Sequence, residues 1–391
     1  MSQLLINHSE DLKRLRDEGY QLEVCDGHLF VHHIPYVNIH KEVKLGVLVS
    51  TLNLSGTKTV KPENHVIMFS GEQPCDKNGV IITGIQHSSA SKRFSNDIIT
   101  SLSFSNKPPQ GYLNYYEKVK TYATIISSPA KALNENITER PFNPIIENDV
   151  NSVFKYYDTN SSRANIEFIN EKFINQKIAI IGLGGTGAYI LDLIAKTKVN
   201  EIHIYDGDVF LNHNAFRSPG AASIEDLEKK PKKVDYYKDV YSKMRNNIFG
   251  HSYYLTEDNF KELNSMDYVF ISIDNNLIRS SLVSYLNSLE IPFIDVGLGV
   301  NSVNDCLIGT VRVTTGTKYK NDHFENRIPA SNNPNNEYET NIQIAELNSL
   351  NAVLAVLKWK KLSGFYQDLE NEHHTTYSIN NSHLQNEEVI V

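Results

Sequence analysis

A glycine-rich turn between two apolar segments constrains the fold of this chain more than any other feature. An apolar segment at 178–181 leads into the turn, and a helical segment and a second strand that ends at Asp206 follow it. The glycines of the turn are Gly182, Gly184, Gly185 and Gly187. Such glycines let the backbone approach a phosphate closely, and the helix behind them presents free N–H groups and a partial positive charge. The pattern predicts a β-α-β unit that binds a nucleotide, with Asp206 accepting hydrogen bonds from the ribose hydroxyls.

A polar and basic set of residues follows Asp206 and indicates which nucleotide binds. The set consists of Asp208, Asn214, Arg217, Lys232 and Lys233, with Asp274 and Asn275 after a later apolar strand. Arginine presents a planar fork that suits phosphate, and lysine acts as a point charge, so the set predicts a clamp for a triphosphate. Asp274 is expected at the carboxyl edge of the sheet, where a carboxylate beside phosphates is best explained by bound Mg²⁺. The sequence therefore predicts a nucleoside triphosphate with Mg²⁺, and Asp274 as the metal ligand.

Each of these residues also has a simpler explanation. The glycines alone fit a nicotinamide or flavin fold equally well. Asn214 and Arg217 are compatible with a solvated loop, and the lysines at 229–233 with an exposed run of charge. Asp274 is also suited to capping a helix at 275–290.

The ordered set resembles the ThiF/MoeB and ubiquitin-activating enzyme superfamily of adenylyltransferases. The segment DGDVFLNHNAFR, at 206–217, matches the pattern D-x-D-x-(V)-x-x-x-N-x-x-R of that superfamily without a gap, with Phe210 at the optional position in parentheses. The resemblance covers roughly residues 160–366. The roles that it implies place Gly184 and Gly185 at the phosphates, Asp206 at the ribose, Asn214, Arg217 and Lys233 at the phosphates, and Asp274 at Mg²⁺ and the reacting carboxylate.

The resemblance implies a Rossmann-like doubly wound α/β sheet that forms a homodimer. The implied activity is adenylation of the C-terminal carboxylate of a small ubiquitin-like carrier protein, within a bacterial conjugation or anti-phage system. Superfamily members use an arginine on the N-terminal helix of one subunit to reach the ATP of the other. Arg163 lies nineteen residues before Gly182, where that arginine is expected. The alternative is a surface arginine on a helix capped by Ser161 or Ser162.

The length of 391 residues is enough for two domains that each bury a core. We expect a smaller α+β domain at 1–150, suited to binding a partner or carrier, and the adenylation domain at 151–391. The first domain resembles a domain of unknown function that precedes such adenylyltransferase domains in bacteria. Its expected elements are a helix capped by Ser9, a hairpin turning at Asp26-Gly27, strands at 44–54, 65–70 and 80–85, and a helix at 112–126.

A long polar segment, Tyr319–Thr340, occupies the position of the superfamily's crossover loop, which guides the carrier's tail into the site. The segment has no cysteine. We expect Cys306 to be buried in a strand and Cys75 to lie in a more exposed turn. The chain is therefore predicted to pass its acyl-adenylate to a downstream conjugating protein without a thioester of its own. There are no Cys-x-x-Cys pairs, so structural zinc is not expected.

Composition excludes several other classes of protein. The net charge of −8 argues against general nucleic-acid binding, and no stretch is apolar enough to span a membrane. The polar N-terminus and the three cysteines fit a cytoplasmic location. Three alternative functions remain open: activation of a peptide or sulfur carrier in biosynthesis, NAD-dependent oxidoreduction, and a non-catalytic nucleotide-binding partner module.

Overall fold

The backbone of the protein divides into two units, residues 1–145 and 146–391. The computed structural model describes residues 2–146, 151–328 and 342–390. Each unit has its own hydrophobic core within these ranges.

The first unit is an antiparallel sheet covered by a long helix. Its helices are α1 (Ser2–His8), α2 (Glu10–Asp17) and α3 (Tyr115–Leu133). Its strands are β1 (Gln21–Cys25), β2 (His28–Val37), β3 (Val43–Thr51), β4 (Leu54–Ser55), β5 (Lys58–Thr59), β6 (Val66–Ser70), β7 (Gln86–Ser88), β8 (Lys92–Arg93), β9 (Ile99–Thr100) and β10 (Leu102–Ser105). The main sheet has the order β1-β2-β3-β6-β10-β7, and β4-β5 and β8-β9 form separate pairs. A 3₁₀ turn covers Thr83–Ile85.

The hairpin between β1 and β2 follows from its turn residues. Asp26 and Gly27 have φ values of +49° and +67°, and Cys25 pairs with His28 across the turn. A two-residue turn with both φ values positive matches the twist of the flanking strands, so Asp-Gly selects this hairpin.

Two expectations for the first unit are wrong in detail. Residues 80–85 do not form a strand, because Ile81 makes a single bridge to Cys75 and a 3₁₀ turn follows it. Ser9 precedes α2 but does not cap it with its side chain; its hydroxyl accepts the backbone N–H of Thr59 instead, at 3.0 Å. A contact distant in sequence has replaced the local one.

The second unit is built on a mixed sheet. Its helices are α4 (Thr159–Ala164), α5 (Glu167–Asn170), α6 (Gly185–Ala195), α7 (Asn212–Ala215), α8 (Ile224–Glu228), α9 (Lys233–Ser242), α10 (Asn276–Ser288), α11 (Phe324–Arg327) and α12 (Ala345–Leu362). Its strands are β11 (Lys177–Ile181), β12 (Glu201–Tyr205), β13 (Ile248–His251), β14 (Tyr268–Ile271), β15 (Phe293–Val303), β16 (Cys306–Gly316), β17 (His374–Ser378) and β18 (His383–Glu387). Further 3₁₀ turns cover Glu171–Phe173 and Glu257–Leu263.

The strand order of the second unit is that of a Rossmann-like fold. The sheet has the order β13-β12-β11-β14-β15-β16-β17-β18; the first five strands are parallel, and the last three are antiparallel to their neighbours. The chain runs outward from β11 to β13 and then returns to β14 on the other side. Ligands bind at such a switch point, beyond the carboxyl ends of the strands.

Both faces of the parallel sheet are covered, as an apolar central strand requires. Ile178 and Ile180 of β11 pack into a core shared with α6 and α12, where Trp359 is fully buried. The alternate residues of the same strand, Ala179 and Ile181, pack into a second core with residues of α10. The expected doubly wound α/β fold is therefore present.

The expected crossover loop falls only partly within the described residues. Residues 319–328 are described and include α11, whereas 329–340 lie outside the described ranges. Four charges connect the described part to the end of β18: Arg327 pairs with Glu387 at 2.9 Å and with Glu388 at 3.0 Å, and Lys320 pairs with Glu388 at 3.3 Å.

One lysine of the first unit is buried without a carboxylate among its hydrogen-bond partners. Lys118 of α3 has no exposed surface, and its Nζ donates to Ser50 Oγ at 2.9 Å and to the backbone carbonyl of Asn64 at 3.1 Å. Burial disfavours the charged amine and lowers the pKa of Lys118 to about 8.

We predict that Lys118 makes the stability of the protein depend on alkaline pH. The pKa of Lys118 is about 8 in the folded protein, whereas an exposed lysine, as in the unfolded chain, has a pKa of 10.5. Between these two pH values the unfolded chain therefore binds more protons than the folded protein. The free energy of unfolding should rise over this range by about 2–3 kcal/mol relative to Lys118→Met, which has no amine to titrate. Urea unfolding at pH 7 to 10.5 measures this difference. Lys120→Met, at an exposed position on the same helix, is the control and should keep the wild-type pH dependence. If the free energy of unfolding of Lys118→Met also followed the wild-type pH dependence, the prediction would be contradicted.

Candidate functional site

The glycine turn after β11 is closely packed on one side and open on the other. Gly182 has φ +87°, and a Cβ there would lie 2.3 Å from the carbonyl oxygen of Ser272, which follows β14. A Cβ on Gly187 would lie 1.9 Å from the Gly182 carbonyl oxygen, and one on Gly185 would lie 2.0 Å from Asn348 Nδ2. Gly184 differs, because a Cβ there would meet nothing within 4 Å. The backbone at Gly184, where α6 begins, is thus the part of the turn that a ligand can approach.

Asp206, at the end of β12, fixes the geometry of this turn. One carboxylate oxygen accepts the N–H of Leu183 at 2.7 Å, and the other accepts the N–H of Asp208 at 2.8 Å. The residue is only 7% exposed. A carboxylate oxygen can accept more than one hydrogen bond, so these contacts leave acceptor capacity for a ribose hydroxyl.

A buried lysine lies beside this carboxylate. Lys233 Nζ is 3.5 Å from Asp206 Oδ2 and 2.7 Å from Asp208 Oδ2. The second oxygen of Asp208 accepts the hydroxyl of Tyr254. Burial alone would raise the pKa of Asp208, but the hydrogen bonds from Lys233 and Tyr254 outweigh it and lower that pKa. Lys232 is nearby and donates from Nζ to the Gly207 carbonyl at 2.5 Å.

Asn214 and Arg217 shape and line the loop that follows Asp208. Asn214 is buried, and its Oδ1 accepts the N–H of Leu211 at 2.9 Å, so this oxygen closes the turn at α7. Arg217 is half-buried, and its Nε is buried with no hydrogen-bond partner among the described residues. An unpaired buried donor on a cation calls for an acceptor, and an anion would supply one.

Asp274 lies where the sequence placed it, after β14 at the switch point, and is exposed. It does not cap α10. Asn275 does so instead, since its Oδ1 accepts the N–H groups of Leu277 at 3.1 Å and Ile278 at 3.3 Å. The helix-capping explanation therefore applies to Asn275 and leaves the carboxylate of Asp274 available.

A buried charge network that the sequence analysis missed holds the turn around Asp274. Arg279 of α10 donates to the carbonyl of Ile273 and to Asn276 Oδ1, on either side of Asp274. Arg279 Nε lies 3.2 Å from Asp295 Oδ1, an ion pair without hydrogen-bond geometry, and Arg312 donates to Asp295 Oδ2 at 2.6 Å. Asp295 is fully buried in β15. Arg279 and Asp295 lie sixteen residues apart, on a helix and on the strand after it, so no local pattern relates them.

A second missed residue is Asn348 of α12, which lies under the glycine turn. Its Oδ1 accepts the hydroxyl of Thr186 at 3.0 Å, and its Nδ2 donates to the carbonyl of Arg217 at 3.5 Å. Asn348 thus connects the start of α6 to the loop that carries the arginine.

The residues expected to hold Mg²⁺ fit that role only with help from a nucleotide. Among residues 2–146, 151–328 and 342–390, no group of three His, Cys, Asp or Glu side chains converges as a metal site. Protein-bound Mg²⁺ is commonly held by one or two carboxylates together with phosphates and water, and Asp274 supplies one carboxylate.

Arg163 lies on α4, exposed near the helix end. The helix is capped by Asp158, whose Oδ1 accepts the N–H of Ser161 at 3.0 Å, so the alternative to the predicted role of Arg163 is wrong about the serine cap. Reach of Arg163 into a second subunit remains a prediction.

The expected exposures of two cysteines are reversed. Cys75 has no exposed surface, because its backbone bridges Val37 and Ile81 in the first unit. Burial, and then the charge of Asp76, raises the pKa of the Cys75 thiol. Cys306 is exposed because it starts β16 at the tip of the β15–β16 hairpin, opposite Val303.

Comparison with known proteins gives two family matches. A family model described as the ThiF family matches residues 159–389, and one described as a domain of unknown function (DUF6791) matches residues 10–159. No curated protein matches the chain. No helix among the described residues has the length and apolar character needed to cross a bilayer.

Three of the solved structures with a similar fold are distant in sequence. The microcin C7 biosynthetic enzyme MccB in complex with N-formylated MccA is 17% identical, with a TM-score of 0.45, covering 78% of this chain and 95% of that chain. E. coli MccB with ATP is 18% identical, with a TM-score of 0.42 and the same coverages. PaaA is 18% identical, with a TM-score of 0.44, covering 57% of this chain and 76% of that chain.

We predict that the charge network beneath the site depends on Asp295. Asp295→Ala should lower the free energy of unfolding by about 3–5 kcal/mol, because it leaves the buried Arg279 and the partly buried Arg312 without their counter-charge. Urea unfolding followed by circular dichroism measures the loss. Asp239→Ala removes an aspartate that is 81% exposed and should change stability by less than about 0.5 kcal/mol. Equal stability of the two variants would show that the network does not stabilise the fold.

Proposed function

The chain belongs to the ThiF family of ATP-dependent adenylyltransferases, and we propose that it activates the C-terminal carboxylate of a small ubiquitin-like carrier protein as an acyl-adenylate. The observation that carries the proposal is the arrangement at the switch point. An open glycine turn, a ribose-type carboxylate at Asp206 and a buried cation at Lys233 meet where parallel sheets bind ligands. We place the reaction in a bacterial ubiquitin-like conjugation or anti-phage system.

The proposed reaction needs positioning and charge neutralisation more than acid–base chemistry. A carboxylate oxygen of the carrier attacks the α-phosphorus of ATP, an acyl–phosphate bond forms, and the bond to pyrophosphate breaks. The carboxylate is already ionised, so no general base is required. Preorganised cations that meet charge developing on the phosphates supply the catalysis.

Each charged residue has a role in this scheme. Lys233 and Arg217 hold the phosphates, the backbone at Gly184 and the start of α6 face them, and Asp206 holds the ribose. Asp274 would hold Mg²⁺, which when bound supplies further positive charge at the phosphates. Arg163 of a second subunit completes the clamp in a homodimer.

The proposal also gives the first unit a binding role and the acyl-adenylate a downstream acceptor. Residues 1–150 bind the carrier or another partner, and the polar segment at 319–340 guides the carrier's tail. The acyl group then passes to a cysteine of a separate conjugating protein. Activation of a peptide or sulfur carrier uses the same half-reaction and differs only in its substrate.

The proposed phosphate clamp of Arg217 and Lys233 should contribute more to the rate of adenylation than to the affinity for ATP. Arg217→Ala and Lys233→Ala should lower carrier-dependent ATP–pyrophosphate exchange by about 10²–10³-fold, as expected when a preorganised electrostatic group is removed. ATP affinity, measured by calorimetry, should fall by only about tenfold, since much of the charge develops during transfer. Lys243→Ala, at an exposed position just after α9, is the matched control and should exchange normally.

Several outcomes would contradict this assignment. Wild-type exchange in both clamp variants would remove Arg217 and Lys233 from the site. Tight binding of NAD without binding of ATP would indicate an oxidoreductase. Exchange that requires a peptide and ignores a ubiquitin-like protein ending in glycine would support the peptide-activating alternative.

The exposures of the cysteines sharpen a test of the step after adenylation. We expect no thiol-sensitive enzyme–carrier conjugate on a gel run without reductant after incubation with ATP and carrier. Cys75 is buried and its thiol pKa is raised, so it should not react. A conjugate that disappears in Cys306→Ala would show instead that the exposed hairpin thiol receives the acyl group. Cys75→Ala serves as the paired control and should leave any such band in place.

A further inference from the structure

Tyr254 lies against the loop between Asp206 and Asp208, although nothing in its local sequence pointed to the site. It follows β13, the strand that neighbours β12 in the sheet. Its ring covers Gly207 so closely that a Cβ on Gly207 would lie 2.7 Å from the ring. The residue is nevertheless 62% exposed. Tyr254 thus contacts the backbone of the loop on one side and solvent on the other.

The hydroxyl of Tyr254 completes a line of hydrogen bonds that ends at Lys233. It donates to Oδ1 of Asp208, while Lys233 Nζ donates to Oδ2 of the same carboxylate at 2.7 Å. A carboxylate held through both oxygens has a fixed orientation. Asp208 therefore presents Oδ2 to the lysine in one direction only.

The electrostatic surroundings of Tyr254 agree with this position. The hydrogen bond to Asp208 makes the largest contribution to the pKa of Tyr254. Burial and the negative charges of Asp208, Asp206 and Asp274 contribute less, and together these effects raise that pKa to about 12. The hydroxyl therefore remains protonated at neutral pH and acts as a donor. Its neighbour Tyr253 differs, since its hydroxyl donates to Glu262 at 2.7 Å and lies 3.1 Å from His251 Nδ1.

The position of the Lys233 ammonium group depends on this orientation, because the carboxylates of Asp206 and Asp208 hold that group. Its Nζ has three hydrogens, and the two carboxylates at 2.7 Å and 3.5 Å take two of these directions. The remaining direction is set by where the two carboxylates lie. Asp206 is fixed by backbone N–H groups, whereas the exposed side of Asp208 is fixed by Tyr254.

We propose that Tyr254 is a positioning residue that orients Asp208 and, through it, aims the ammonium group of Lys233 at the phosphates of ATP. The inference rests on the proposed function, because it assumes that Lys233 contacts phosphate. Tyr254 itself need not touch the nucleotide. Removing only its hydroxyl, in Tyr254→Phe, leaves the ring over Gly207 and releases Asp208 Oδ1.

Comparison of two ligands separates positioning from a purely structural role. The probes are Mg·ATP, titrated by calorimetry, and adenosine, measured by competition against a fluorescent ATP analogue. Tyr254→Phe should weaken ATP binding about fivefold and leave adenosine binding within twofold, since adenosine has no phosphate for Lys233 to meet. Tyr253→Phe is the matched control and should change neither affinity. Equal weakening of both ligands by Tyr254→Phe would show that the residue only supports the loop.

A double-mutant cycle tests the route through Lys233. Tyr254→Phe added to Lys233→Met should cost no further ATP affinity, because the group that Tyr254 aims is already absent. Independent, additive losses would overturn the inference. Normal ATP binding by Tyr254→Phe alone would also overturn it while leaving the proposed function intact. A wild-type protein that does not bind ATP would overturn both.

Discussion

The rest of the site depends on the buried carboxylate of Asp206. It joins three pieces of chain that are distant in sequence: the glycine turn after β11, the loop after β12, and the start of α9 with its lysine. Burial of a carboxylate is unfavourable unless hydrogen bonds and a counter-charge replace its hydration. Two backbone N–H groups and Lys233 do so here. The same contacts hold the turn open at Gly184 and keep a positive charge beside it.

A second buried carboxylate, Asp295, plays the corresponding part on the other side of the switch point. Its two arginines come from α10 and β16, and Arg279 also binds the backbone before Asp274. The two carboxylates thus differ in what they support. Asp206 holds the glycine turn and the loop after β12 directly. Asp295 keeps Arg279 in place, and Arg279 in turn contacts residues on either side of Asp274.

The sequence was most informative where the chemistry is local. The glycines, Asp206 and the D-x-D-x-(V)-x-x-x-N-x-x-R segment lie within a single stretch, and their order was enough to predict the Rossmann-like fold and the family. Residues that reach the site from elsewhere were missed. Thr186 and Asn348 are 162 residues apart, and Asp208 and Tyr254 are 46 apart, so no local pattern relates them.

The errors on the cysteines have a similar cause. Position within a strand indicates which face a side chain takes, but not whether the strand extends past its neighbours, and Cys306 lies at the tip of such an extension. A turn containing Pro and Gly is usually exposed, yet single bridges to Val37 and Ile81 bury Cys75. Ser9 likewise stands at a helix start but binds Thr59 instead of capping it. In each case a contact made by the folded chain overrides the local pattern.

The ion pairs of Lys320 and Arg327 with Glu387 and Glu388 have a consequence for handling the protein. These side chains are between 21% and 32% exposed, so dissolved ions reach them. The distance over which charges interact shrinks from about 10 Å at 0.1 M salt to about 3 Å at 1 M. Ionic strength therefore affects the ionic part of the attachment between the chain around α11 and β18. Buffers of high salt, chosen for convenience in purification, would weaken that attachment while leaving the deeply buried charges around Asp206 and Asp295 in place.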